Sequence, residues 1–154
     1  MDRSAIYETI FGYLALLNSS TPGDERVANL VLALDRLALA YHFANCDFDE
    51  GEYADAPTEA YFPLRSKVEN LFPDFGLYNV VTDISVNVGV TTTGVGDALD
   101  DLTDIAVDMY EVLWLWENTS VENALWQFRW GYENHWGGHL RNLQLYLWAN
   151  RFGV

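Results

Sequence analysis

TSVENALWQFRWGYENHWGGHLRNLQLYLWAN, residues 119–150, holds four of the six tryptophans, two of the three histidines and an arginine set among apolar residues. Thr119 followed by Glu122 has the capping-box spacing, in which the hydroxyl accepts from a free backbone N–H and the carboxylate reaches back to the cap. A helix is predicted to start there. Advancing about 100° per residue gathers Val121, Leu125, Phe128, Tyr132, Trp136, Leu143, Tyr146 and Leu147 on one face, which must be buried against other helices. Arg129, His135 and His139 fall inside or beside that arc. A titratable group on a buried face needs a partner, because an unpaired charge costs several kcal/mol or shifts its pKa until it is neutral. Trp126, Trp130 and Trp148 lie on the opposite side, so the helix is either packed on two faces or presents an aromatic patch for self-association or another protein. Gly137 and Gly138, each costing about 1 kcal/mol relative to alanine inside a helix, mark a break or the close approach of another backbone.

The partners are sought in DALDDLTDIAVDMYEVLWLWEN, residues 97–118, which reads as a helix with two faces. Leu102, Ile105, Ala106, Met109, Leu113 and Trp116 make the core side. Asp97, Asp101, Asp104, Asp108 and Glu111 make a carboxylate stripe, with Asp100 at its edge. Like charges three and four residues apart repel unless cations or basic groups face them. The helix dipole accounts for acids in the first turn, but Asp104 and Asp108 are too far along for that.

Ile6, Ile10, Leu14 and Leu17 give a first helix over about 4–17. Val27, Leu30, Val31, Leu34, Ala38 and Tyr41 give a second over about 24–45, with Asp24 as its cap and Asp35 and His42 along one edge. Residues 47–59 carry six acids and no base. They fail the calcium-loop pattern at Gly51, Glu52 and Thr58, and read as a solvated acidic loop. Pro63 opens a short helix with Leu64, Val68 and Leu71 inward, closed by Pro73. Valine-rich Tyr78–Thr82 and Ser85–Val90 read as a small hairpin, and the nearby glycines form no phosphate loop. The expected fold is mainly all-α: one domain, residues 1–154, an antiparallel bundle of about five helices with a short β-like excursion around residues 77–90.

The net charge is −15, from 23 acidic residues against eight basic ones. That disfavours nucleic acid and anionic membranes, which need a basic footprint, and favours a basic protein partner, a cation or plain solubility. The single cysteine, Cys46, excludes an intramolecular disulfide, and Asp47 beside it works against an activated thiol. Without a basic leader or an apolar run of spanning length, a cytoplasmic location is expected.

GLYNVVTDIS (76–85), VGDALDDLTDIAVDMYEVLWLWENTS (95–120) and ALWQFRWGYENHWGGHL (124–140) together resemble an uncharacterised bacterial family catalogued as domain of unknown function 5063. The resemblance implies a compact, mainly helical intracellular domain. It places a D-D-x-x-D-I helix at Asp100, Asp101 and Asp104, and a closing W-x-F-R…E-x-H-W-G-x-H pattern at Trp126, Phe128, Arg129, Glu133, His135, Trp136, Gly137 and His139. It implies no activity, cofactor or partner.

The residues admit two readings. In the first, the chain is a protein-binding or regulatory module needing no cofactor. Arg129, His135 and His139 then pair with Glu133, Asp101, Asp104 and Asp108 in a structural network, and Trp126, Trp130 and Trp148 form a homodimer face or meet a partner. In the second, it is a metal-dependent hydrolase. His135 and His139, at i and i+4, hold a divalent metal with His42 or the 97–118 aspartates, and Arg129 holds a phosphoester-type substrate. The catalytic candidates are Asp101, Asp104, Asp108, Arg129 and Glu133; the metal candidates are His135, His139 and His42. Against the second reading, Trp136 stands where H-E-x-x-H has its general base.

Overall fold

The computed structural model describes residues 1–20 and 22–154, and the side chain of Asp24, the expected cap, lies outside this description. Six helices and one hairpin follow in the order α1 (Arg3–Leu16), α2 (Gly23–Tyr41), α3 (Tyr61–Leu71), β1 (Leu77–Val81), β2 (Thr93–Asp97), α4 (Ala98–Asn118), α5 (Val121–Asn134) and α6 (Trp136–Phe152). The mainly helical, single-unit architecture agrees with the periodicities. No described helix is long and apolar enough to cross a membrane.

Helix α4 is the centre of the bundle, packed against α1, α3, α5 and α6. Its apolar face, Leu102, Ile105, Ala106 and Met109, is fully buried with Ile6, Ile10 and Tyr13 of α1 and with Phe128 and Trp136. Each such aliphatic or aromatic side chain contributes about 1.5–3 kcal/mol by leaving water. The Tyr13 hydroxyl donates to the Leu102 carbonyl (3.0 Å), so the one polar atom of that buried ring is satisfied.

The 119–150 stretch is two helices. The chain turns at His135 (φ −144°, ψ −88°), and this break supplies the sixth helix. Trp136 fills the corner: its ring is buried, and its indole N–H donates to the Phe128 carbonyl (3.1 Å). Gly137 lets the corner close, since a Cβ there would sit 2.1 Å from the Tyr132 carbonyl oxygen. The cap also moves by one residue. Ser120 accepts from the Asn123 N–H (3.0 Å), whereas the Thr119 hydroxyl is used on the Leu115 carbonyl (2.6 Å) to close α4. Glu122 pairs with Arg3 (2.5 Å) and accepts from the Asp47 N–H (2.7 Å).

The excursion is an antiparallel hairpin whose register runs from Leu77↔Asp97 to Val81↔Thr93, so the second strand is 93–97 and not 85–90. The valines of 85–90 are exposed in the connecting loop. What selects 93–97 is pairing: a Cβ on Gly96 would meet the Tyr78 ring at 2.5 Å, so this glycine leaves the space that Tyr78 occupies. The strand runs directly into α4, which places the hairpin beside the carboxylate stripe.

Candidate metal centre

Helix α4 carries the acids to a surface bounded by α3, the hairpin and α6. Asp97 caps the helix, accepting from the Leu99 N–H (3.0 Å) and from Arg65 Nη2 (2.8 Å). Arg65 Nη1 lies 3.6 Å from Asp100, whose carboxylate also accepts from the Tyr61 hydroxyl. Asp101 is buried and doubly engaged: one oxygen accepts from the Tyr78 hydroxyl, the other from His139 Nδ1 (2.7 Å). Asp108 accepts from His135 Nδ1 (2.7 Å).

Asp104 stands apart. Among the described residues its carboxylate makes no hydrogen bond, and its nearest charged partner is His139 Nε2 at 3.6 Å. Asp104, His135 and His139 each bring one ligand atom to within 4.8 Å of the others. The two imidazole rings are 5.0 Å apart and cross at 74°.

The geometry fixes the tautomers. A carboxylate only accepts, so Asp101 and Asp108 hold the protons of His139 and His135 on Nδ1. Each neutral imidazole then keeps its lone pair on Nε2, the arrangement in which a carboxylate orients a metal-ligating histidine. The hydrogen bond to Asp101, with help from Asp104 and Asp100 and against the effect of burial, raises the His139 pKa above its ordinary value. Burial raises the Asp104 carboxyl despite the pull of His139, and raises Asp108 despite its bond to His135. Burial and the Asp100 contact push Tyr61 up to about 12, and burial with the Asp101 contact takes Tyr78 higher still. Burial opposes ionisation of Asp97, but Arg65 and the Leu99 N–H outweigh it and hold the carboxyl below its ordinary value.

Above the histidines lies a groove of about 380 Å³, walled by Tyr78, Val80 and Val95 of the hairpin and by Asp97 and Asp100. Two of the three potential ligands, His135 and His139, line this groove.

Three of the expected site residues are elsewhere. Arg129 donates to Asn45 (3.3 Å), lies 3.7 Å from Glu133 and covers the Tyr41 ring at 5.9 Å. Glu133 accepts from the Tyr41 hydroxyl (2.9 Å). Neither joins the His/Asp set, because the corner at His135 sends residues 129 and 133 along α5 and His139 along α6. His42 is exposed at the end of α2, its ring against Tyr41, and is outside the set. Asp101 and Asp108 hold the histidines. Trp126 and Trp130 stack on each other at 6.1 Å and are about half exposed, as is Trp148 against Phe152. Tyr61, Arg65 and Tyr78 reach the stripe from distant segments, and no local pattern marks them for it.

The chain belongs to the family described as a domain of unknown function, DUF5063, whose model matches residues 8–150. None of the curated proteins matches it. The crystal structure of protein BF1032 from Bacteroides fragilis is similar, with a TM-score of 0.75 and 16% identity, covering 95% of this chain and 89% of that one. At that identity the likeness shows a shared fold.

Proposed function

We propose that this chain is a metal-binding module holding one divalent transition ion on Asp104, His135 and His139. The observation that carries the reading is the isolation of Asp104 in an otherwise partnered stripe. In a purely structural polar network every member is satisfied, since a half-buried carboxylate among like charges is costly without a counter-charge. Asp104 has no hydrogen bond among the described residues, and it lies beside two imidazoles whose Nδ1 atoms are already committed. A divalent ion turns that repulsion into ligation.

Two imidazole nitrogens and one carboxylate suit zinc, iron(II), cobalt(II) or manganese(II), whereas magnesium and calcium prefer oxygen ligands throughout. His135 and His139 line the groove, so an ion held by them would be within reach of a small molecule there. A phosphoester hydrolase is the weaker form of this reading. The arginine expected to hold an anionic substrate, Arg129, is engaged with Asn45, Glu133 and Tyr41, and Arg65 is engaged with Asp97 and Asp100.

The test is titration of tag-free, chelator-stripped protein with zinc, with iron(II) under anaerobic conditions, and with magnesium. One equivalent of zinc or iron(II) is expected to bind, and an excess of about 100 Kd should stabilise the fold by about 2.7 kcal/mol. Asp104→Asn should abolish this with the helical circular dichroism unchanged. A melting temperature indifferent to both chelator and added metal, or wild-type affinity in Asp104→Asn, overturns the proposal.

A further inference from the structure

We infer that the face made by α1 and α2 docks a second copy of this chain, the two helix pairs joining as an antiparallel four-helix interface. This is independent of the metal reading. A groove of about 650 Å³ runs between the two helices, lined by Ala5, Glu8 and Gly12 of α1 and by Leu32, Arg36 and Leu39 of α2. Leu32 and Leu39 are 47% and 50% exposed, a ridge of large apolar side chains that nothing in the chain covers. Gly12 is exposed within α1, and a Cβ there would meet nothing within 4 Å. Packing inside the chain therefore does not call for a glycine that costs about 1 kcal/mol relative to alanine in a helix. Against a second helix it leaves a hollow that a leucine can enter.

Charge selects the occupant. The chain carries −15, yet α1 and α2 hold three arginines, Arg3, Arg26 and Arg36, against four acids, Glu8, Asp24, Glu25 and Asp35. Two acidic chains approach with least repulsion on this nearly neutral face, whereas a basic partner would be drawn to the α4 stripe or the 47–59 loop. Among the described residues neither Glu8 nor Arg36 makes a hydrogen bond or an ion pair, although both line the groove. The short connection makes α1 and α2 antiparallel. A two-fold axis along the groove lays α1 of each copy on α2 of the other, antiparallel again. Read in opposite directions, 12, 8, 5 and 32, 36, 39 step identically, by four and then three residues, the spacing of a helix seam. Gly12 then receives Leu32 of the second copy, Glu8 meets its Arg36 and Ala5 its Leu39, and the symmetry makes each contact twice.

The experiment is sedimentation equilibrium on tag-free, chelator-stripped protein from about 5 to about 500 μM, where a monomer–dimer equilibrium is expected. Glu8→Arg and Arg36→Glu should each weaken the dimer at least about tenfold. An equimolar mixture of these two variants should recover the wild-type association, because each chain then offers the other two pairs of opposite charge. A pairing of Glu8 with Arg36 inside one chain would not be recovered by mixing. Leu39→Glu, at an exposed position, should be a monomer with unchanged helical circular dichroism, while Trp130→Glu, on the aromatic patch of α5, should still dimerise. A monomer throughout that range, a mixture no stronger than the single variants, or a dimer kept in Leu39→Glu or lost in Trp130→Glu would each overturn the assignment.

Discussion

Asp101→Asn isolates what a buried carboxylate does for a histidine it does not share with any other acid at hydrogen-bond distance. Asp101 is 5% exposed, and its two oxygens accept from the Tyr78 hydroxyl and from His139 Nδ1 at 2.7 Å. An amide offers one acceptor oxygen and one NH2, so it can satisfy only one of those donors. If the NH2 faces His139, the imidazole keeps its lone pair on Nδ1 and carries its proton on Nε2, the atom aimed toward Asp104. If the NH2 faces Tyr78, the phenol oxygen accepts in place of donating and its own hydrogen loses its partner in a half-buried place, at a cost of about 1–3 kcal/mol. Loss of such a carboxylate contact behind a ligating histidine weakens metal binding about 10–100-fold, or roughly 1.4–2.8 kcal/mol. The assay is zinc competition against a chromophoric chelator, with helical circular dichroism recorded on the metal-free variant. A variant that folds and binds zinc within about twofold of wild type, while Asp104→Asn does not bind, would refute the claim that Asp101 sets the His139 tautomer.

Gly137→Ala should lower the urea midpoint by the equivalent of about 3 kcal/mol or more, because its Cβ would overlap a backbone carbonyl at 2.1 Å; Gly138→Ala, with nothing within 4 Å, should be neutral or stabilising by up to about 1 kcal/mol. Arg129→Ala should leave zinc affinity within about twofold of wild type, since its contacts are to Asn45, Glu133 and Tyr41, and a larger loss in titration would return it to the site. In the metal-free protein, burial raises the pKa of Asp104, Asp108 and Glu111, and Asp101 raises that of His139, so the folded state holds these protons more tightly than the unfolded one. Their stabilisation is complete below the ordinary values and is lost as pH rises through the raised ones, so chemical denaturation should show stability rising from about pH 8 to pH 5. With zinc bound the slope should reverse, because the ligands must give up protons to hold the ion, and equal slopes in both forms would contradict the ligand set.

The bundle was legible because helical periodicity is local: the stripes of α1, α2, α3 and α4 face the core where their spacing placed them, with Val27, Val31, Tyr41, Leu71, Leu113 and Trp116 only partly buried at its edge. The position of the corner at His135 was not, because it is made by tertiary packing of Trp136 over Gly131 and against Phe128; only Gly137 and Gly138 hinted at a break. The strand at 93–97 lost to the valine-rich 85–90 on composition, although a glycine opposite Tyr78 is what the pairing requires. In the site, His135, His139 and the 101–108 acids could be singled out because each type needs compensation. Arg129 was drawn in with them by extending one helix through the corner. Tyr61, Arg65 and Tyr78 sit 23 to 39 residues from the acids they contact, a relation that periodicity along one helix does not encode.

The sign of one stability change separates a structural Asp104 from a functional one. Asp100 and Asp108 lie one turn away on either side of it and Asp101 lies three residues before it, and each like-charged pair at that spacing costs about 0.2–0.5 kcal/mol. The opposing attraction is His139 at 3.6 Å, partly exposed, worth about 0–1 kcal/mol when the imidazole is charged and less when it is neutral. Above the His139 pKa, therefore, Asp104→Asn should raise the stability of the metal-free protein by some tenths to about 1 kcal/mol, as removal of a residue kept for function often does. If Asp104 instead belonged to a satisfied structural network, the same substitution would strand its partners and destabilise by about 1–3 kcal/mol. Urea denaturation of chelator-stripped wild type and variant, at a pH where an NMR titration of the metal-free protein shows His139 neutral, distinguishes the two, and a loss above about 1 kcal/mol would assign Asp104 to the scaffold.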